Sequence, residues 1–311
     1  MPRSEPVDGF RLGYDRSGSG EPVILLHGWP GDRTDYRILA PALADTCEVV
    51  VPDLRGFGDS DKHAAGPAAA YDASAQARSV AGLIRELGLD HPVVAGYDIG
   101  SRIAQTLARE SPGLVRALVV APPLPGIGRR VLDPQAQSEF WYQAFHRLPL
   151  APALIDGKPP AVRDYLSHFW AHWSGPSFTL DDGALAHLVS VYGPPGAFTA
   201  SIGWYRAGAG SVARSIGEQP PAPDQRLAVP TTVLWPEHDP LFPRAWSDRL
   251  EEFFSDITVS FVDGAGHFAP LEYPAEFATA IRAALARTVL ATTRGPASPG
   301  PTGLRNGSPL R

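Results

Sequence analysis

Residues 92–104 read Pro92-Val-Val-Ala-Gly96-Tyr97-Asp98-Ile99-Gly100-Ser-Arg-Ile-Ala104. A short run of small and β-branched residues stops at Gly96, and a helical pattern begins at Ile99, predicted over about 99–110. Strand, tight turn and helix then follow one another within a few residues. The pattern G-x-Nu-x-G in that context is a nucleophile elbow, whose middle residue is pushed out at the carboxyl end of a strand, beside a helix N-terminus. Glycines are needed because the turn is tight and the helix packs close to the strand. The middle residue here is Asp98, and the helix dipole and nearby N–H groups favour its ionised form. Taken alone, Gly-Tyr-Asp-Ile-Gly also fits an aspartate capping a helix in a glycine-rich turn. The partners of Asp98 decide between the two.

Working outward, similar apolar runs occur at Pro22–His27, Glu48–Pro52 and Arg116–Ala121. Continuous Val/Ile/Leu runs of this length suit strands covered on both faces, as in a parallel sheet. A helical stretch is predicted over 74–88. Alternating β and α elements argue for an α/β sheet with right-handed crossovers. The alternation breaks at 122–128, PPLPGIG, a loop by composition. From 129 to 219 the chain is aromatic and helix-like, with no convincing strand. Sheet signals return at Pro230–Trp235 and Ile257–Phe261, and a last helix fits about 274–290. The expected layout is a core from 1–128 and 220–291, an inserted helical cap at 129–219, and a flexible tail at 292–311 rich in Gly, Pro, Ser and Thr.

The 311 residues carry 27 Lys+Arg against 33 Asp+Glu, a formal net charge of −6. That balance argues against a nucleic-acid binder, which needs basic charge to displace counterions from phosphates. The single cysteine, Cys47, excludes an internal disulfide framework and a thiolate-rich metal cluster. The opening MPRSEPVDGF lacks the apolar run of a secretory signal, and no stretch approaches the roughly 20 apolar residues of a membrane span. A cytoplasmic enzyme is expected; a homodimer is left open.

A nucleophilic carboxylate forms an ester that something must hydrolyse. His267 sits in Asp263-Gly-Ala-Gly-His-Phe-Ala-Pro270, a loop after the last strand run that can reach the elbow. Its second nitrogen needs an orienting acid. Asp239, in Trp235-Pro-Glu-His-Asp-Pro240, lies a few residues past a strand end, and Glu237 and Asp263 are rivals for the role. The order nucleophile, acid, histidine is the chain order expected around such an elbow. The loop His27-Gly-Trp-Pro30 faces the elbow in this architecture. The backbone N–H groups of Trp29 and Ile99 can then form an oxyanion hole, while His27 buttresses the loop.

With these motifs in place, the chain resembles the α/β-hydrolase superfamily, and within it the epoxide hydrolases. The carrying stretches are His27-Gly-Trp-Pro30, Asp53-Leu-Arg-Gly-Phe-Gly-Asp-Ser60, Gly96–Gly100, Glu237-His-Asp239 and Gly264-Ala-Gly-His267. The resemblance implies an α/β-hydrolase fold and a nucleophile–acid–histidine triad of Asp98, Asp239 and His267. It also implies two cap tyrosines that donate to the epoxide oxygen. Trp141-Tyr142-Gln143 and Gly203-Trp-Tyr-Arg206 match the stretches that carry them, which assigns Tyr142 and Tyr205. Phenols of ordinary pKa near 10 stay protonated at neutral pH and can donate to the oxygen of an opening epoxide. The expected reaction is epoxide plus water to a vicinal diol through a covalent Asp98 ester, with no cofactor or metal. Trp29, Trp141, Trp204 and Phe268 are expected to line an apolar pocket suited to apolar or aryl epoxides.

Rival readings follow from the same residues. Haloalkane dehalogenases usually place Trp directly after the nucleophile, where this chain has Ile99. Fluoroacetate dehalogenases place Arg there and again three residues on; here only Arg102 could serve. Their halide-binding His-Trp pair is matched only by Phe145-His146-Arg147, which lacks the Trp. A serine esterase is excluded by the absence of Ser from the elbow. A non-catalytic relative is expected to have lost a triad member or an elbow glycine, and none is missing. His168-Phe-Trp-Ala-His172 has a spacing that can bind zinc but lacks the Glu of the His-Glu-x-x-His pattern, so packing is expected there.

Overall fold

The computed structural model describes residues 1–63 and 66–293. Seven strands form one sheet: β1 Tyr14–Ser17, β2 Glu21–Leu26, β3 Cys47–Pro52, β4 Val93–Gly96, β5 Ala117–Val120, β6 Thr231–Pro236 and β7 Ile257–Val262. Their order is β1-β3-β2-β4-β5-β6-β7. Only β1 runs antiparallel, pairing Tyr14 with Pro52 and Ser17 with Val49. The sequence reading missed β1 because it has no apolar run: Tyr14 is buried, and Asp15, Arg16 and Ser17 are exposed, as an edge strand allows.

The central strands explain themselves. Every residue of β4 and β5 is buried, and so are five of the six in β2. Fully burying each Val, Ile or Leu contributes about 1.5–3 kcal/mol, so the parallel register is strongly specified. Helix Ala73–Glu86 begins at Asp72, whose side chain accepts the Ala75 N–H. It packs on helix Ile99–Glu110, which lies against β2, β4 and β5. Helix Pro274–Thr293 packs on β4, β5 and β6. It runs three residues beyond the predicted end, so 292 and 293, expected in the tail, are helical. The remaining tail, 294–311, lies outside the described residues.

Between β5 and β6 the described chain runs only through helices and turns, from the turn Gly128–Leu132 to the turn Pro223–Gln225. The longest helices there are Pro159–Trp173 and Asp182–Tyr192. They seat on the loop after β2. Trp170 Nε1 donates to the Pro30 carbonyl at 3.2 Å, Tyr192 Oη donates to the Gly31 carbonyl at 2.6 Å, and His187 pairs with the buried Asp32 at 2.6 Å. No helix among the described residues is long and apolar enough to cross a membrane.

Candidate active site

β4 ends at Gly96 and helix Ile99–Glu110 starts two residues after Tyr97. Asp98, between them, has φ 48° and ψ −128°. A side chain in that region costs about 1–3 kcal/mol and persists where the surroundings over-determine it, as they do at functional sites. Gly100 is required: a Cβ there would stand 2.2 Å from the Leu26 carbonyl oxygen. The helix is thereby pressed against the end of β2, and the Asp98 carboxylate meets the loop after it.

Asp98 Oδ2 accepts the Trp29 N–H at 2.7 Å, and the Ile99 N–H also donates to the carboxylate. These are the two backbone donors expected of an oxyanion hole. Burial pushes the Asp98 pKa above its ordinary value, outweighing the His267 charge and these N–H groups, which pull it down. His27 serves the loop only: its Nδ1 contacts the Gly28 carbonyl at 2.9 Å and its Nε2 accepts the Leu54 N–H at 3.0 Å.

His267 is fully buried. Its Nδ1 lies 2.9 Å from Asp239 Oδ2, while Asp239 Oδ1 accepts the Leu241 N–H at 2.9 Å. The neutral tautomer that donates to Asp239 leaves the lone pair on Nε2. Nε2 has no hydrogen-bond partner among the described residues and stands 3.9 Å from Asp98 Oδ1. Burial alone pushes the imidazole pKa down, but the charges of Asp239 and Asp98 and the Asp239 hydrogen bond reverse this, and the net shift is upward. The rival acids are engaged elsewhere: Glu237 accepts the Gly264 N–H, and Asp263 pairs with Arg244.

Tyr142 and Tyr205 line the same cavity as Asp98 and Ile99, a space of about 380 Å³. Their rings are 5.5 Å apart. Tyr205 Oη is buried with no partner in ordinary hydrogen-bond geometry among the described residues and interacts weakly with the Tyr142 hydroxyl; Tyr142 Oη also meets Gln143 Nε2, at 3.4 Å. Burial, with the Asp98 charge adding to it, pushes both phenols well above their ordinary pKa. Tyr165 instead bonds His146 Nε2, Tyr192 holds Gly31, and Tyr97 donates to Asp35 at 2.6 Å.

The expected pocket lining needs correction. Of Trp29, Trp141, Trp204 and Phe268, only Trp204 lines the cavity. Trp141 is 42% exposed, because one residue before Tyr142 on the same helix points about 100° away from it. Phe268 is stacked on Trp170 at 3.6 Å, inside the core. The Trp29 indole is stacked on Tyr142, so this residue reaches the site through its backbone N–H. The apolar walls are instead Phe140, Trp204, Ile127 and Val131, with Phe242 and Phe253 from beyond β6. Phe242 was findable, since it lies three residues after Asp239; its ring meets Phe140 at 5.7 Å.

Arg102 pairs with Glu218 at 2.9 Å. Arg55 is buried, bonded to Asp8 and Ser79. His172 pairs with Glu139 at 2.8 Å, and no three metal-binding side chains cluster among the described residues.

Comparison with known proteins accords with this geometry. A family described as alpha/beta hydrolase fold matches residues 21–274. The soluble epoxide hydrolase of Corynebacterium sp. (strain C12) is 31% identical over 86% of this chain and 91% of that one. The fluoroacetate dehalogenase of Burkholderia sp. is 30% identical over 61% of this chain and 64% of its own. The solved structure of the epoxide hydrolase CorEH, 28% identical, covers 94% of this chain and 99% of that one with a TM-score of 0.76. The chain is an epoxide hydrolase-like member of the alpha/beta hydrolase fold family.

Proposed function

We propose that this protein hydrolyses an apolar or aryl epoxide to a vicinal diol through a covalent ester on Asp98. The observation that carries the reading is one cavity lined by a buried carboxylate and two buried, weakly engaged phenols, with an imidazole nitrogen, unpartnered among the described residues, 3.9 Å from that carboxylate. The helical segment 129–219 acts as a cap that brings the phenols over the carboxylate.

Because Oδ2 is held by the Trp29 N–H, Oδ1 is the oxygen free to attack. It bonds to an epoxide carbon, the carbon–oxygen bond breaks, and Tyr142 and Tyr205 donate to the developing alkoxide, which takes a proton from one phenol that solvent then reprotonates. The phenols suit this role because their raised pKa values keep them protonated. In the second half, His267 Nε2 takes a proton from water, and the resulting hydroxide attacks the ester carbonyl. Charge then collects on Oδ2, already held by the Trp29 N–H, with the Ile99 N–H also directed at the carboxylate. The imidazolium is stabilised by Asp239. Collapse breaks the bond from the acyl carbon to Oδ1, the departing oxygen takes the proton from the His267 imidazolium, and the diol leaves carrying the original Oδ1 while the water oxygen stays in Asp98. With Asp98 esterified, its charge no longer raises the His267 pKa, so the base is freed for this step.

The test is turnover of an aryl epoxide by wild type, Tyr142→Phe, Tyr205→Phe and His267→Gln. Diol formation lost in the tyrosine variants, with an ester adduct accumulating in His267→Gln, supports the reading. Full turnover in His267→Gln without adduct refutes it. One observation favours a second reading, dehalogenation by the same Asp98. His146 is buried with its Nδ1 unpartnered among the described residues, its ring 4.8 Å from those of both Tyr205 and Trp29. Against it, Ile99 replaces an arginine, and Arg102 is committed to Glu218. Fluoride release from fluoroacetate without diol formation from epoxides decides for the dehalogenase.

A further inference from the structure

We infer that Glu272 is a positioning residue for the hydrolytic half of the reaction: its carboxylate clamps the loop carrying His267 onto the end of helix Pro159–Trp173. The inference rests on the roles proposed above for Asp98 and His267.

The N–H groups on either side of His267 both end on Glu272. Gly266 N–H donates to Oε2 at 2.7 Å and Phe268 N–H to Oε1 at 3.1 Å. The same Oε2 accepts the Gly175 N–H at 2.9 Å, from the segment just past the helix. Between them, His267 N–H donates to the Trp173 carbonyl at 2.8 Å. Residues 266, 267 and 268 thus have all three N–H groups committed, two to one carboxylate and one to the helix end. The two segments touch backbone to backbone: a Cβ on Gly175 would lie 2.4 Å from the Gly264 carbonyl oxygen and 2.7 Å from Glu272 Oε2. The Trp173 ring rests 5.0 Å from the imidazole. Hydrogen bonds to a charged acceptor are the stronger kind, and losing the acceptor leaves half-buried N–H groups without partners.

The clamp also carries charge. Three carboxylates act on the imidazole: Asp239 at Nδ1, Asp98 opposite Nε2, and Glu272 from the helical turn Ala269–Glu272. Around them pack the rings of Trp173 and Phe268 and the Tyr97 phenol, which burial keeps neutral. Once Asp98 is esterified, Asp239 and Glu272 are the charges left to stabilise the imidazolium as water is deprotonated. Glu272 therefore both holds the base and strengthens it in the step where it acts.

The test compares full-length wild type, Glu272→Gln, Glu272→Ala and Gly175→Ala by two readouts. The first is the NMR titration of the His267 ring in histidine-labelled enzyme, assigned by its absence from His267→Gln. Both Glu272 variants are expected to titrate lower by about 0.5 pH or more. The second is a single turnover that separates ester formation from ester breakdown. Formation stays close to wild type; breakdown slows about tenfold or more in Glu272→Ala and less in Glu272→Gln, which keeps one acceptor oxygen. Gly175→Ala loosens the clamp from the other side without removing charge, so breakdown slows while the titration stays near wild type. Unchanged titration with unchanged breakdown, or both half-reactions slowed equally, overturns the proposal. If wild type forms no ester, the reading of Asp98 fails, and the titration still decides whether Glu272 acts on His267.

Discussion

Replacing Tyr205 by Phe should move stability and activity in opposite directions. The Tyr205 hydroxyl is buried with no partner in ordinary hydrogen-bond geometry among the described residues and only a weak interaction with the Tyr142 hydroxyl, so the resting protein carries a poorly compensated polar group. Such a group costs about 1–3 kcal/mol. Phe keeps the ring and its contacts with Trp29, Tyr142 and His146 while removing that cost. A gain of about 1 kcal/mol in unfolding free energy is expected, raising Tm by about 2 °C. In the reaction the same hydroxyl donates to a developing alkoxide, and a hydrogen bond to a charged partner is worth about 1.5–3 kcal/mol. Losing it should lower kcat/KM on an aryl epoxide roughly 10- to 150-fold. Urea unfolding and steady-state kinetics on one preparation suffice. Tyr142→Phe is the control, since its hydroxyl makes one long contact with Gln143 and a weak one with Tyr205, and its removal should leave stability near wild type. A Tyr205→Phe protein that is less stable and fully active would refute the reasoning, because the hydroxyl would then be structural.

Asp239→Asn should leave ester formation intact and slow ester breakdown about 10⁴-fold, because the amide no longer selects the His267 tautomer with its lone pair on Nε2; equal slowing of both steps would contradict this, and rapid quench separates them. The acid limbs of the two half-reactions should differ. Ester formation needs ionised Asp98, whose pKa burial raises above 3.8, so it is lost as pH falls through that raised value. Ester breakdown needs neutral His267, whose pKa in the free enzyme lies above 6.5. In the ester the Asp98 charge is gone, so the breakdown limb should lie at lower pH than the His267 titration of the free enzyme; pre-steady-state rates against pH check both. Gly100→Ala should destabilise the fold by about 3 kcal/mol or more, since its Cβ meets backbone that cannot turn aside; chemical unfolding measures it.

The elbow and the meeting of Asp98, Asp239 and His267 were legible because their sequence signals are local. Gly96 and Gly100 frame Asp98 within five residues, and the strand runs before each loop place Trp29, Asp239 and His267 at one edge of the sheet. Features set by packing between distant segments were not. Trp141 and Tyr142 are neighbours in sequence, yet one faces outward and the other the cavity, which depends on how their helix rolls onto Trp29. Phe268 follows His267 but is claimed by Trp170, nearly a hundred positions away. Glu272 looks like an ordinary acid on a short helix until Gly175 arrives from another part of the chain. β1 was invisible because an edge strand needs only one buried residue in four.

A single turnover of excess enzyme in oxygen-18 water, followed by mass analysis of the diol and of the peptide containing Asp98, addresses the covalent step itself. The expected result is label in the Asp98 carboxylate and an unlabelled first-turnover diol. Label appearing directly in the diol, with none in Asp98, would mean that water attacks the epoxide and that no ester forms.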